Sequence, residues 1–191
     1  NSMETYLKIK KGEVILTDFN HEACITPFER ICKKNDITLR YWSLNNENSN
    51  NKYKIDYNDL LKQVNINTSL VILPHVSNIL GNILDIYYLN KEIKKINPDT
   101  KVLVDGVAYL PHGLIDVNEL GCDFYVVSFY KFCGLRISAL YIKDTDFVYN
   151  IENQNHYFFD NSEDFLKKLE LGGINYENMN SLIGLADYLV D

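Results

Sequence analysis

Two short, uninterrupted apolar runs, SLVIL at 69–73 and KVLVD at 101–105, constrain this chain more than any other feature. A strand that is apolar at every position has to be covered on both faces, which is the habit of parallel sheets wrapped by helices. Between the runs, Ile86, Leu89, Ile93 and Ile96 recur at three- and four-residue intervals. That spacing predicts a helix over 86–96, and Asn97-Pro98 ends it. The same alternation extends in both directions. Strands are predicted at 13–17, 37–42 and 123–127, and helices at 22–35 and at 56–64, the latter capped by Asp56 or Asn58. Residues 117–120 make at most a short helix. The run ISALYI at 137–142 follows the strand at 123–127 within about ten residues, too close for a helical crossover, so it should run antiparallel. A last helix over 175–189 should bury Met179, Leu182, Ile183, Ala186 and Leu189. The asparagine-rich run at 45–51 reads as a solvated loop. The expected class is α/β, a mostly parallel sheet flanked by helices.

Composition narrows the function classes. At 191 residues the chain is one domain, 1–191, large enough to bury a core. A net charge of −7 lacks the basic footprint that nucleic acid requires, so no nucleic-acid partner is expected. No apolar run approaches the ~18 residues of a membrane span, so no membrane partner is expected either. No basic n-region with an apolar h-region opens the chain. The expected compartment is the cytoplasm, with organellar targeting left open should the N-terminus be truncated. Cys24, Cys32, Cys122 and Cys133 show no zinc spacing and read as reduced thiols, so no metal site is expected.

In sheets of this kind ligands bind beyond the carboxyl ends of the strands. The segments just after the predicted strands carry His21, His75, Ser77, Asn78, Asp105, Ser128, Tyr130 and Lys131. Lys131 stands among Phe129, Tyr130 and Phe132, and an amine in an apolar setting becomes a better nucleophile toward carbonyls. It reads equally as a surface lysine at a strand end. Asp105 reads either as a carboxylate able to pair with a buried cation or as an Asx-type turn before Gly106. Together the two suit pyridoxal phosphate, which needs a lysine for its Schiff base and an acid at its pyridinium nitrogen.

Longer motifs add a resemblance. The stretch 104–143, VDGVAYLPHGLIDVNELGCDFYVVSFYKFCGLRISALYIK, resembles the core of the class V aminotransferase-fold enzymes, in particular the cysteine desulfurase and selenocysteine lyase group. HEACITPF at 21–28, HVSNILGNI at 75–83 and LGGINYENMNSLIGLADYL at 171–189 are similar to three further motifs of that group, in the same order. The resemblance implies a fold type I large domain that binds pyridoxal 5′-phosphate. It implies Lys131 as the Schiff-base lysine, Asp105 at the pyridine nitrogen and His21 stacked on the ring as a proton shuttle. It places Asn78 near the phenolic oxygen, with Ser128 and Tyr130 near the phosphate. His75 and His112 receive no role and read as structural.

The sequence departs from the family at Ala108, where glutamine or histidine is usual, and at Asn20, Leu135 and Cys24, in place of glutamate, proline and asparagine. Neither Cys24 nor Cys133 aligns with the sulfur-accepting cysteine, and Cys133 reads as a small buried hydrophobe. Family members are about twice this length, so the expected chain is a partial large domain without the glycine-rich phosphate loop or the small C-terminal domain. The implied activity is removal of sulfur or selenium from a cysteine-like amino acid, by a homodimer in full-length form. Alternatives are a degenerate domain acting as a binding module and another aminotransferase or lyase of the same fold. The fragment alone is expected to be inactive.

Overall fold

A computed structural model describes residues 2–47, 52–153, 165–169 and 172–190. Six strands form the main sheet: β1 (Glu13–Thr17), β2 (Leu39–Trp42), β5 (Thr68–Pro74), β6 (Lys101–Asp105), β7 (Phe124–Ser128) and β8 (Ser138–Ile142). Their spatial order is β2-β1-β5-β6-β7-β8. All neighbours are parallel except β7 and β8, which pair antiparallel from Phe124 with Ile142 to Ser128 with Ser138. The short link between β7 and β8 allows no other direction. β3 (Asn45–Glu47) and β4 (Lys52–Lys54) form a separate antiparallel pair. This corrects the reading of 45–51 as a loop throughout. Cross-strand pairing overrides the poor strand propensity of asparagine at 45–47, while 48–51 lie outside the described residues.

Helices α1 (Ser2–Lys10), α2 (Glu22–Lys34), α3 (Tyr57–Leu61), α4 (Ile86–Ile96), α5 (Val117–Leu120) and α6 (Thr145–Tyr149) cover the sheet. Strand periodicity divides the core in two. Ile15, Val71, Leu73, Val102 and Val104 point to the face closed by Leu60, Ile86, Leu89 and Ile93 of α3 and α4. Val14, Leu16, Leu70, Ile72 and Leu103 point to the other, closed by Leu7, Phe28, Cys32, Phe147 and Val148 of α1, α2 and α6. Each fully buried aliphatic side chain contributes roughly 1.5–3 kcal/mol. The helix starts are fixed by acidic caps. Asp56 accepts from Asn58 N, Asp85 from Tyr88 N and Asp116 from Asn118 N, each within 2.8–2.9 Å. Such caps are worth about 1 kcal/mol apiece.

Asp123 clamps the other end of the sheet. It is 5% exposed; one oxygen accepts from Val102 N and Lys94 Nζ, both at 2.8 Å, and the other lies 3.3 Å from Lys101 Nζ. It thereby ties α4, β6 and the start of β7 together.

Helix α7 (Tyr176–Val190) forms where predicted but turns a different side inward. Leu185 is buried against the segment around Gly134, while Met179, Ile183, Ala186 and Leu189 are exposed and Leu182 is half-buried. Only one stripe of this helix meets a neighbour among the described residues, so spacing alone could not say which stripe it would be. Cys133 corrects a second expectation. It is exposed and sits at φ 59°, in a tight turn that lifts its side chain out of the core.

Candidate active site

The strand order reverses direction at β1. The chain leaves β1 for β2 on one side, then crosses back to β5 on the other and continues outward to β6 and β7. The loops after β1 and β5 therefore diverge and leave a crevice at their carboxyl ends. A cleft of about 160 Å³ opens there, lined among others by His21, Asn78, Asp105, Ala108, Tyr130 and Lys131. Five of the six residues to which the resemblance gives a role line this cleft. The sixth, Ser128, ends β7 and accepts a hydrogen bond from Ser138 Oγ at 3.1 Å; it is not among the lining residues.

Each side chain is held by a local device. His21 is the N-cap of α2, its Nδ1 accepting from Ala23 N at 3.1 Å, and its ring is exposed toward the cleft. Asp105 ends β6, and its Oδ1 accepts from Val107 N at 3.0 Å. That is the Asx turn expected from sequence, and it leaves the carboxylate facing the cleft. The turn also requires Gly106, because a Cβ there would stand 2.1 Å from the Tyr125 ring. Lys131 ends a 3-10 turn, Phe129–Lys131, directly after β7 and is half-buried, with Nζ 5.9 Å from the centre of the Tyr130 ring. Tyr130 itself is 53% exposed.

His75 lies behind the cleft and is 6% exposed. Its ring stacks on Tyr109 at 3.7 Å and shares a 2.7 Å hydrogen bond with the Tyr125 hydroxyl, while the His75 backbone N–H donates to the Asp105 backbone carbonyl at 2.8 Å. Burial pushes its pKa down from 6.5 to about 4. The unfolded chain therefore binds the proton more readily than the folded one. Stability from this group is complete above pH 6.5 and is lost as the pH falls from 6.5 toward 4, by up to about 3 kcal/mol. Urea unfolding at pH 7, 5.5 and 4.5 measures this slope, and a His75→Phe variant should flatten it. Equal slopes in the two proteins would remove His75 from the account.

One contact was not foreseen. The Cys24 thiol, in the first turn of α2, donates to Asp105 Oδ2 at 3.4 Å. Burial first, and then the Asp105 charge, pushes the Cys24 pKa up to about 12. The two residues are 81 positions apart, and their meeting depends on α2 packing over the carboxyl ends of β5 and β6, which no local signal announces.

The profile of the family described as Aminotransferase class-V matches residues 1–150. The chain belongs to the class V aminotransferase family. Class V enzymes depend on pyridoxal phosphate. The chain is 37% identical over 183 residues to the aminotransferase-like protein FGM3 of Gibberella zeae, covering 95% of this chain and 44% of that one. It is 38% identical over 137 residues to a cysteine desulfurase of Wigglesworthia glossinidia brevipalpis, covering 71% and 32%. Its fold superposes on the cysteine desulfurase CsdA of Escherichia coli with a TM-score of 0.76 at 18% identity, covering all of this chain and 51% of that one. The chain thus spans about a third to a half of the length of these proteins. The architecture is that of fold type I, a mostly parallel sheet flanked by helices. Among the described residues no helix is long and apolar enough to cross a membrane, and no group of His, Cys, Asp and Glu is arranged to hold a metal ion.

Proposed function

We propose that this chain carries the pyridoxal-phosphate-binding part of a class V enzyme that cleaves the carbon–sulfur or carbon–selenium bond of a cysteine-like amino acid, with Lys131 as the cofactor-anchoring residue. The observation that carries the reading is the convergence of Lys131, Asp105, His21 and Asn78 on one cleft at the point where the strand order reverses. The donor set fits the cofactor: a primary amine for its carbonyl carbon, a carboxylate for its ring nitrogen, an imidazole for its face and an amide for its phenolic oxygen. Ala108 contributes no hydrogen bond, which leaves Asn78 as the amide on that side.

The cofactor, when bound, supplies an electron-accepting ring for the electron pair released at the substrate's Cα. The chain's own residues supply the rest. Lys131 Nζ is the nucleophile toward the carbonyl carbon and, once a substrate amine displaces it, the base that takes the Cα proton. Asp105 holds a proton at the ring nitrogen. His21, fixed by its cap to Ala23 N, keeps its ring over the cleft, where it covers the cofactor face and relays protons. Ser128 and Tyr130 belong to the phosphate end of the same reading, with Tyr130 offering a phenolic donor. The homodimer implied for the full-length form is part of this proposal.

The test is direct. After incubation with pyridoxal 5′-phosphate, the protein should show a visible absorbance band. Borohydride reduction followed by peptide mapping should place the modification on Lys131. Absence of the band, or modification of another lysine with Lys131 untouched, would overturn the reading.

A further inference from the structure

We propose that Cys24 is a positioning residue for Asp105, its thiol fixing the carboxylate's rotation so that the group presents a free lone pair to a ring nitrogen in the cleft. The inference rests on the cofactor reading above and deepens it. The terminal torsion of an aspartate is broad and roughly two-fold, so one hydrogen bond does not fix it. In this chain both oxygens are tied: Oδ1 to Val107 N at 3.0 Å and Oδ2 to Cys24 Sγ at 3.4 Å. Each carboxylate oxygen has two acceptor positions, so two anchors still leave room for a third donor from the cleft.

The anchors come from different elements. Val107 belongs to the turn that Asp105 itself makes, whereas Cys24 belongs to α2, the helix that His21 caps. Three positions along one helix thus link the imidazole to the carboxylate. The chemistry of the thiol suits this duty. Burial and the Asp105 charge hold its proton well above neutral pH, so the group donates and does not become an anion facing another anion. A thiol is also a weak donor that withdraws little charge from its acceptor. The carboxylate keeps its negative charge for the ring nitrogen, more fully than it would under an amide donor.

The experiment compares Cys24→Ala and Cys24→Ser with the unmodified protein in two measurements. The first is affinity for pyridoxal 5′-phosphate and for its 1-deaza analogue, in which carbon replaces the ring nitrogen. Cys24→Ala should weaken binding of the cofactor by about 3- to 10-fold, the worth of one neutral hydrogen bond. Affinity for the deaza analogue should stay within about two-fold, and Cys24→Ser should restore cofactor binding. The second is the infrared S–H stretching band without cofactor, assigned to Cys24 by its loss in Cys24→Ala, which Asp105→Ala should move to higher frequency because the thiol loses its acceptor. Equal weakening of both ligands, or an S–H band unmoved by Asp105→Ala, would overturn the inference while leaving the cofactor reading intact. A shifted S–H band in a protein that takes up no cofactor would overturn the reading and this inference with it. Thermal unfolding of both variants verifies that the fold persists.

Discussion

Replacing Lys131 with alanine should abolish the borohydride-fixed adduct and leave the fold unchanged. The side chain is half-buried and its one ring contact, with Tyr130, is a cation–π pair at 5.9 Å, worth about 0.5–1 kcal/mol at a site of this exposure. Stability should therefore hardly move. The chemical loss is of another order. On the proposed assignment, loss of the amine removes both the covalent attachment and the base for the Cα proton. The latter role alone is worth about 10²–10⁴-fold. On the proposed function, any turnover of a cysteine-like substrate should fall by at least about that factor. The measurement pairs thermal unfolding with reduction, mapping and turnover. A variant that is still labelled elsewhere, or that still turns over at the unmodified rate, would show that another lysine does the work.

Asp123→Ala should produce the reverse pattern, a large loss of stability at a distance from the cleft. Asp123 is buried, and its two oxygens serve Val102 N, Lys94 Nζ and Lys101 Nζ. Truncation orphans a buried backbone N–H, leaves the half-buried Lys94 ammonium without its counter-charge and leaves Lys101 with only Asp144, 3.6 Å away. Removing one partner of a buried ion pair costs about 3–5 kcal/mol. For a chain of this size, 1 kcal/mol moves the midpoint by roughly 2–4 °C, so Tm should drop by about 6 °C or more. Asp123→Asn keeps an acceptor for Val102 N and should lose less. A Tm within 2 °C of the parent in Asp123→Ala would mean that water or neighbouring groups replace the clamp.

Much of this fold could be read from the residues. The predicted bounds of β1, α4, β6 and α5 coincide with those in the structure. Each of these segments had a strong local signal at its ends: Gly12 before β1, Asn97-Pro98 after α4, Gly106 after β6, and Asp116 with Gly121 around α5. The readings were weaker where tertiary contacts decide. Helix α1 was not foreseen because Tyr6 and Leu7 give too narrow an apolar stripe to mark it; it forms because the sheet face buries both. The pairing of 45–47 with 52–54, the inward stripe of α7 and the exposure of Cys133 likewise depend on partners distant from the local pattern. At the site, the motifs named Lys131, Asp105, His21 and Asn78 as candidates. They could not show that β1 lies beside β5, which is what brings the four into one cleft. Nor could they show that Cys24 reaches Asp105.

The neighbour relation between β1 and β5 also has a temporal side. Residues 18–67 separate the two strands, yet β1 hydrogen-bonds to β5 along one edge. On a ribosome adding about 5–20 residues per second, that edge waits roughly 3–10 s for its partner. During that interval Val14, Ile15 and Leu16, all fully buried in the finished sheet, have an open edge and uncovered apolar faces. Nascent chains stalled between residues 18 and 67 should be the most aggregation-prone species this sequence produces, and the most dependent on a holding chaperone.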